Sequence, residues 1–124
     1  MVKMYIALGS ILAFLGVALG AFGAHALKSR LSDDMFKIFE TGVHYHMIHA
    51  LALVFVGIIA HWLNDSQLLN WAGRLFAIGI LIFSGSLYVL SMSGIKTFGA
   101  VTPFGGIAFL AGWILLAITA FKHL

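Results

Sequence analysis

Residues 41–64 read TGVHYHMIHALALVFVGIIAHWLN, a run of 24 positions without Asp, Glu, Lys or Arg. A helix needs about 20 predominantly apolar residues to cross the hydrocarbon core of a bilayer, and this stretch is long enough. Three more charge-free windows occur, at 4–27, 75–95 and 97–121. The pattern predicts an all-α, integral membrane four-helix bundle. The windows are continuously apolar rather than alternating, which excludes a transmembrane β-barrel.

Composition points the same way. Of 124 residues, 62% are hydrophobic and 9% charged, against roughly 25% charged in an average soluble domain. Seven basic and four acidic residues cannot give a compact soluble monomer its polar skin. Disorder is excluded as well, because it requires low hydrophobicity. The length suits a single domain over 1–124. With no cysteine, disulfide, thiolate and Cys-ligated metal chemistry are absent. The pI is near 9.5, but the basic residues form no clustered stripe of the kind that binds nucleic acid. They suit lipid headgroups and topology signals.

Helices are expected at about 4–26, 41–63, 68–92 and 102–121. Lys3 followed by an apolar run and Ala24-His25-Ala26 resembles a signal peptide, yet the run exceeds the usual core of about 7–15 residues, so a retained helix is expected. Between the first two helices lies the segment 27–40, with six of the charges. Its Ser32-Asp33-Asp34 is a helix-start signal, and a short amphipathic segment should follow. Trp62, Trp71 and Trp113 are read as interfacial aromatics near helix ends. Pro103 suits a first helical turn. Short turns after helices two and three imply up-down-up-down topology.

Lys28, Arg30, Lys37 and Lys96 fall on the face opposite the amino terminus; Lys3, Arg74 and Lys122 fall on the same face as it. The positive-inside rule then puts both termini outside. Small residues mark close helix approach. Gly9, Gly16 and Gly23 repeat every seven residues, and Gly16, Gly20 and Ala24 every four. Gly85, Gly105, Gly106 and Gly112 are further packing positions. They serve either the bundle itself or a homo-oligomer interface.

Histidine is the unusual residue. His61 and His123 read as interfacial. His25 ends helix one, and His44, His46 and His49 open helix two. Ser84, Ser86, Tyr88, Ser91 and Ser93 on helix three, with Thr97 and Thr102 beside helix four, reach the same membrane face. Embedded polar groups are costly unless they face the interior or a wet cavity, so a polar pocket open at that face is expected. His46 and His49 are three apart and share a helix face. Three chemistries compete for the cluster: interhelical hydrogen-bond glue, a ligand or proton-handling site, and metal or haem ligation. No embedded carboxylate completes a metal set, and no metal or cofactor is assigned. Helix one lacks the embedded carboxylate of small multidrug transporters. No catalytic serine or aspartate protease constellation is visible.

The strings GAFGAHAL at 20–27, YHMIHALAL at 45–53, FSGSLY at 83–88 and TPFGG at 102–106, then Gly112-Trp113, follow in order along the whole chain. In this the sequence resembles the YgdD/YwdK family of small bacterial inner-membrane proteins. The resemblance implies four transmembrane helices in the bacterial plasma membrane and no particular activity. It puts weight on His25, His49, Ser84, Ser86, Tyr88, Thr102 and Pro103. The sequence departs from the family pattern at His46, where glutamine is usual, and at His44, which is outside the pattern.

The expected protein is therefore a multi-pass, non-enzymatic membrane protein. Its pocket candidates are His25, His46, His49, Ser84, Ser86, Tyr88 and Thr102, for a small molecule, a lipid, or proton or solute transport. The bilayer is the expected partner and nucleic acid is not one. A redox, quinone or haem component using His25 and His49, and a scaffold acting through glycine-rich faces, are the alternatives.

Overall fold

A computed structural model describes residues 1–124 and contains four long helices. They are α1 (Val2–Leu27), α2 (Asp33–Ala60), α3 (Gln67–Ser93) and α4 (Thr102–His123). Each is long and apolar enough to span a membrane.

The caps are local chemistry. Ser32 Oγ accepts a hydrogen bond from the Met35 N–H at 3.2 Å, with Asp33 and Asp34 in the first turn beside the positive helix end. The segment 33–40 is thus the beginning of α2 itself, since no breaker separates it from the span. Ser66 caps α3 the same way through the Leu69 N–H. Gly94 ends α3 at φ 72°, a left-handed conformation that glycine adopts without a Cβ clash. A 3-10 turn at Lys96–Ala100 then leads to α4, with Pro103 in its first turn.

Neighbours in sequence pack antiparallel. The pairing of Gly9 with Ala50 and Val54, of Gly16 with Met47, and of Gly23 with Phe39 lays α1 along α2. Gly79 with Phe109, Gly105 with Phe83, and Gly112 with Phe76 lay α4 along α3. The bundle is open: α1 rests almost wholly on α2, and α4 on α3. Between these hairpins, α2 packs on α3, while α2 and α4 meet through long side chains.

A recurrent contact is an aromatic ring seated on a glycine. Tyr5 sits on Gly73, Phe39 on Gly23, Tyr88 on Gly42, Phe109 on Gly79, and Phe76 on Gly112. Lipid tails are as apolar as leucine, so membrane helices associate through close packing and hydrogen bonds rather than hydrophobic expulsion. A ring on a bare backbone maximises that packing. The core holds Tyr5, Leu53, Val56, Leu69, Phe76 and Phe109, whereas Phe14 and Leu81 are over 70% exposed on the outer surface. That inversion, apolar outside as well as inside, is what a bilayer solvent requires.

Two helices carry π turns, at Gly23–Leu27 and Ile80–Ser84. In the second, the Gly85 N–H reaches back five residues to the Ile80 carbonyl. One extra residue in a turn rotates the helix beyond it by about 100°. At this bulge α4 comes closest to α3, where Gly105 lies against the backbone of Phe83.

A Cβ at Gly105 would stand 2.7 Å from the Phe83 Cα, a backbone atom that cannot step aside. Gly105→Ala is therefore expected to cost about 1–3 kcal/mol. Gly85 has no neighbour within 4 Å of its would-be Cβ, so Gly85→Ala should be neutral or stabilise by up to about 1 kcal/mol through helix propensity. Thermal unfolding in detergent micelles distinguishes the two; equal effects would contradict this packing.

Candidate functional site

The embedded polar side chains bond across the helices in pairs. His46, buried on α2, has its Nε2 2.7 Å from the Leu12 carbonyl of α1 and its Nδ1 2.8 Å from the Tyr88 hydroxyl of α3. A carbonyl only accepts, so Nε2 carries the proton and Nδ1 accepts from Tyr88. Gly16 lies four residues beyond Leu12 on the same face. Its missing side chain leaves room for His46, whose Cδ2 would be 3.3 Å from a Cβ there.

His49 takes the opposite tautomer. Trp113 Nε1–H of α4 donates to His49 Nε2 at 2.9 Å, and His49 Nδ1–H donates to the Tyr45 carbonyl at 2.7 Å. Indole is a donor only, so His49 is neutral in this arrangement. Its ring stacks on Phe109 with centroids 3.6 Å apart, and Phe76 packs against it.

The hydroxyls complete the ties. Ser84 donates to the Gly42 carbonyl at 2.7 Å, linking α3 to α2. Ser86 and Thr102 hydroxyls lie 2.5 Å apart, linking α3 to α4. Ser91 donates to the Tyr88 carbonyl. At the other end Tyr5 lies 2.6 Å from Asn70 Oδ1 and 2.8 Å from the Asn70 carbonyl, joining α1 to α3. Every buried side-chain nitrogen and oxygen has a partner.

The expected site residues therefore meet as bonded pairs and line no common cavity. His25 differs from the rest: it is exposed in the π turn of α1 and makes no side-chain hydrogen bond to His49. The reason is its position on an outer face of a helix that rests on one neighbour. No group of three or more His, Cys, Asp or Glu residues stands where it could hold a metal, and both ring nitrogens of His46 and of His49 are engaged. Trp113 is mid-helix and inward-bonded rather than interfacial. Its signal in the sequence was its distance of eleven residues from the start of α4, about 16 Å at the helical rise. Tyr5 and Asn70 also escaped the sequence reading.

Of the packing glycines, Gly16, Gly23, Gly105 and Gly112 stand against neighbouring side chains or backbone. Gly20 is looser, with only Val43 at 3.4 Å from its would-be Cβ, and Gly106 is looser still. The slack at Gly20 belongs to a cleft of about 340 Å³ between α1 and α2. Gly20, Gly23, Ala24, Val43 and Met47 give it apolar walls, and Glu40 and His44 also line it. A second cleft of about 360 Å³ opens between α2 and α4 beside His49, Phe109 and Trp113.

Residues 19–106 match the family described as "Protein of unknown function (DUF423)". The chain belongs to this family. The matched region holds His25, His46, His49, Ser84, Ser86, Tyr88 and Thr102, and ends before Trp113. The chain is 47% identical over 122 residues to the UPF0382 membrane protein YwdK of Bacillus subtilis, covering 98% of this chain and 99% of that one. It is 44% identical over 120 residues to a UPF0382 membrane protein of Staphylococcus haemolyticus, covering 97% of each. No solved structure matches. With four helices able to span a bilayer and relatives named as membrane proteins, this family member is a multi-pass membrane protein.

Glutamine can replace His46 in kind, because its amide donates to Leu12 and accepts from Tyr88 at once. His46→Gln is expected to unfold within about 1 kcal/mol of wild type. His46→Ala should lose about 1–3 kcal/mol, from two interhelical bonds and an orphaned Tyr88 hydroxyl. Equal losses, measured by thermal unfolding in micelles, would contradict the bridging role.

Trp113→Phe keeps an aromatic ring on α4 but removes the donor to His49 Nε2, leaving that buried acceptor unpaired. It is expected to cost about 1–2 kcal/mol in thermal unfolding in micelles. An unchanged unfolding midpoint would refute the assigned tautomer.

Proposed function

We propose that this protein is a non-enzymatic membrane protein that holds a single lipid-like amphiphile in the cleft between α1 and α2. The observation that carries the reading is the cleft itself. Its volume, about 340 Å³, is in the range of ligand pockets, about 300–1,000 Å³. Apolar walls lead to a carboxylate and an imidazole on successive turns of α2, Glu40 and His44. An apolar slot ending in polar groups suits a molecule with an apolar chain and a polar head.

The cleft has a cause in the helix contact. Gly9 would put a Cβ 2.7 Å from the Ala50 carbonyl oxygen, so the backbones touch there. Past Gly16, where Met47 fills the contact, Gly20 leaves the helices parted until Phe39 closes on Gly23. The gap is thus held open by contacts on both sides.

Support for a non-enzymatic role comes from the hydroxyls. Ser84, Ser86 and Ser91 bond backbone carbonyls or Thr102, and none bonds a histidine, so no nucleophile–base pair is assembled. The redox alternative has His25 outside the network that holds His49. The scaffold alternative has the stripe Gly9, Gly16 and Gly23 already occupied by α2. In our reading the protein resides in the bacterial plasma membrane, with the face of Lys28, Arg30, Lys37 and Lys96 in the cytoplasm and both termini outside.

The test is lipid retention. Native mass spectrometry of the detergent-purified protein should show one retained phospholipid. Gly20→Leu, whose side chain would fill the cleft, should retain none while unfolding within about 1 kcal/mol of wild type, as expected where no buried contact is displaced. Equal retention by the two proteins would sink the proposal.

A further inference from the structure

We propose that the occupant of the α1–α2 cleft is a zwitterionic phospholipid whose head ends in a primary ammonium, a phosphoethanolamine head. This rests on the amphiphile reading above and names the class of head that the mouth selects. The carrying feature is a second hollow that adjoins the apolar cleft. This shallow depression, about 500 Å³, lies on the outer surface of α2 and is lined by Lys37, Glu40, Thr41, His44 and Tyr45. Glu40 and His44 line both spaces. One molecule seated across both spaces lies against them.

The charges in the hollow come in both signs. Lys37 and Glu40 are exposed and three residues apart on α2, which places their Cβ atoms about 5–6 Å apart on one helix face. Lys37 supplies an ammonium that suits a phosphate, and the Glu40 carboxylate suits an ammonium. A phosphoethanolamine head carries those two charges on either side of a two-carbon arm. Thr41 is not free to compete, because its hydroxyl donates to the Lys37 carbonyl at 2.9 Å. His44, one turn beyond Glu40, can donate to a phosphate oxygen from its ring N–H.

The alternatives fit less well. An anionic head without an amine can pair with Lys37 but brings no cation for the Glu40 carboxylate. A quaternary choline head has no N–H to give, and its recognition calls for a cage of aromatic faces. Tyr45 and the His44 imidazole are the two rings in the hollow, too few for a cage. A single-chain amine would leave Lys37 unmatched. Position agrees as well: Glu40 lies seven residues into a helix capped at Ser32, about 11 Å along the axis, so the hollow sits near the headgroup end of the span.

The test uses the full-length protein in nanodiscs of equal parts phosphatidylethanolamine, phosphatidylglycerol and phosphatidylcholine. The lipid released from the protein is identified by native mass spectrometry. Wild type should carry phosphatidylethanolamine about two- to fivefold above its share, the scale of one surface ion pair. Glu40→Gln should still carry one lipid but in bulk proportion, and Lys37→Gln should reduce the enrichment. Both positions are exposed, and circular dichroism checks that the variants fold. Wild-type lipid in bulk proportion, or enrichment unchanged in Glu40→Gln, overturns the head-group assignment and leaves the cleft reading standing. Equal lipid retention by Gly20→Leu and wild type overturns the cleft reading itself.

Discussion

The bond between His46 and the Leu12 carbonyl sets the conditions for the rest of the fold. Its acceptor is a backbone oxygen already inside a helix, so the partner must approach the helix axis closely. Gly16 permits that approach. The imidazole then turns its other nitrogen to Tyr88, and one side chain holds three helices in mutual register. In water such a bond would compete with solvent. In a bilayer no solvent is available, and a buried imidazole without both partners would carry a desolvation cost. Pairing is obligatory for buried groups, which is why the buried hydroxyls and imidazoles on α2 and α3 are all committed to neighbours.

Close approach has a second consequence. Where a ring, another side chain or backbone fills the seat on a glycine, the helices touch. Where the seat stays largely empty, as at Gly20, space opens. The polar network and the candidate binding site are therefore different places. The first is the bonded interior of α2, α3 and α4, reaching α1 through Leu12 and Tyr5. The second is the loosely packed end of the α1–α2 seam, where α1 has no other helix to lean on. The open bundle makes this division: three helices share the interior, and the fourth is held along one edge.

Much of this was legible in the sequence. Gaps in the charge pattern give the four spans, because a charge in hydrocarbon is too costly to occur by accident. Ser32 before two aspartates marks a helix start, although the sequence pattern set 33–40 apart from the span it belongs to, and the seven-residue glycine repeat marks a close helix approach without naming its partner. Other features were not legible. A π turn depends on how a helix fits its neighbours, and Ile80–Ser84 has no residue that demands one. The family motifs group His25 with His49 at one membrane face, although the two differ in depth; the structure separates them further, with His25 exposed and His49 buried. Trp113 looks like an interfacial anchor by type, and only its facing partner shows that its indole serves the interior. The cleft is an absence of packing, and local sequence spells contacts better than gaps.

The spacing of Gly9, Gly16 and Gly23 also limits how α1 can move. Each glycine matches one protrusion of α2: the Ala50–Val54 backbone and side chain, Met47, or Phe39. Neighbouring seats are seven residues apart, about 10.5 Å along the axis. A slide of one helical turn, about 5.4 Å, would bring Tyr5, Leu12 and Leu19 to the three protrusions in one direction, and Ala13, Gly20 and Leu27 in the other, where only Gly20 is a glycine seat. The two helices thus mesh like a coarse-toothed rack. Small axial drift is blocked, and α1 has no fine steps by which to adjust to a thinner or thicker bilayer. Adjustment to membrane thickness falls to tilting of the bundle as a whole.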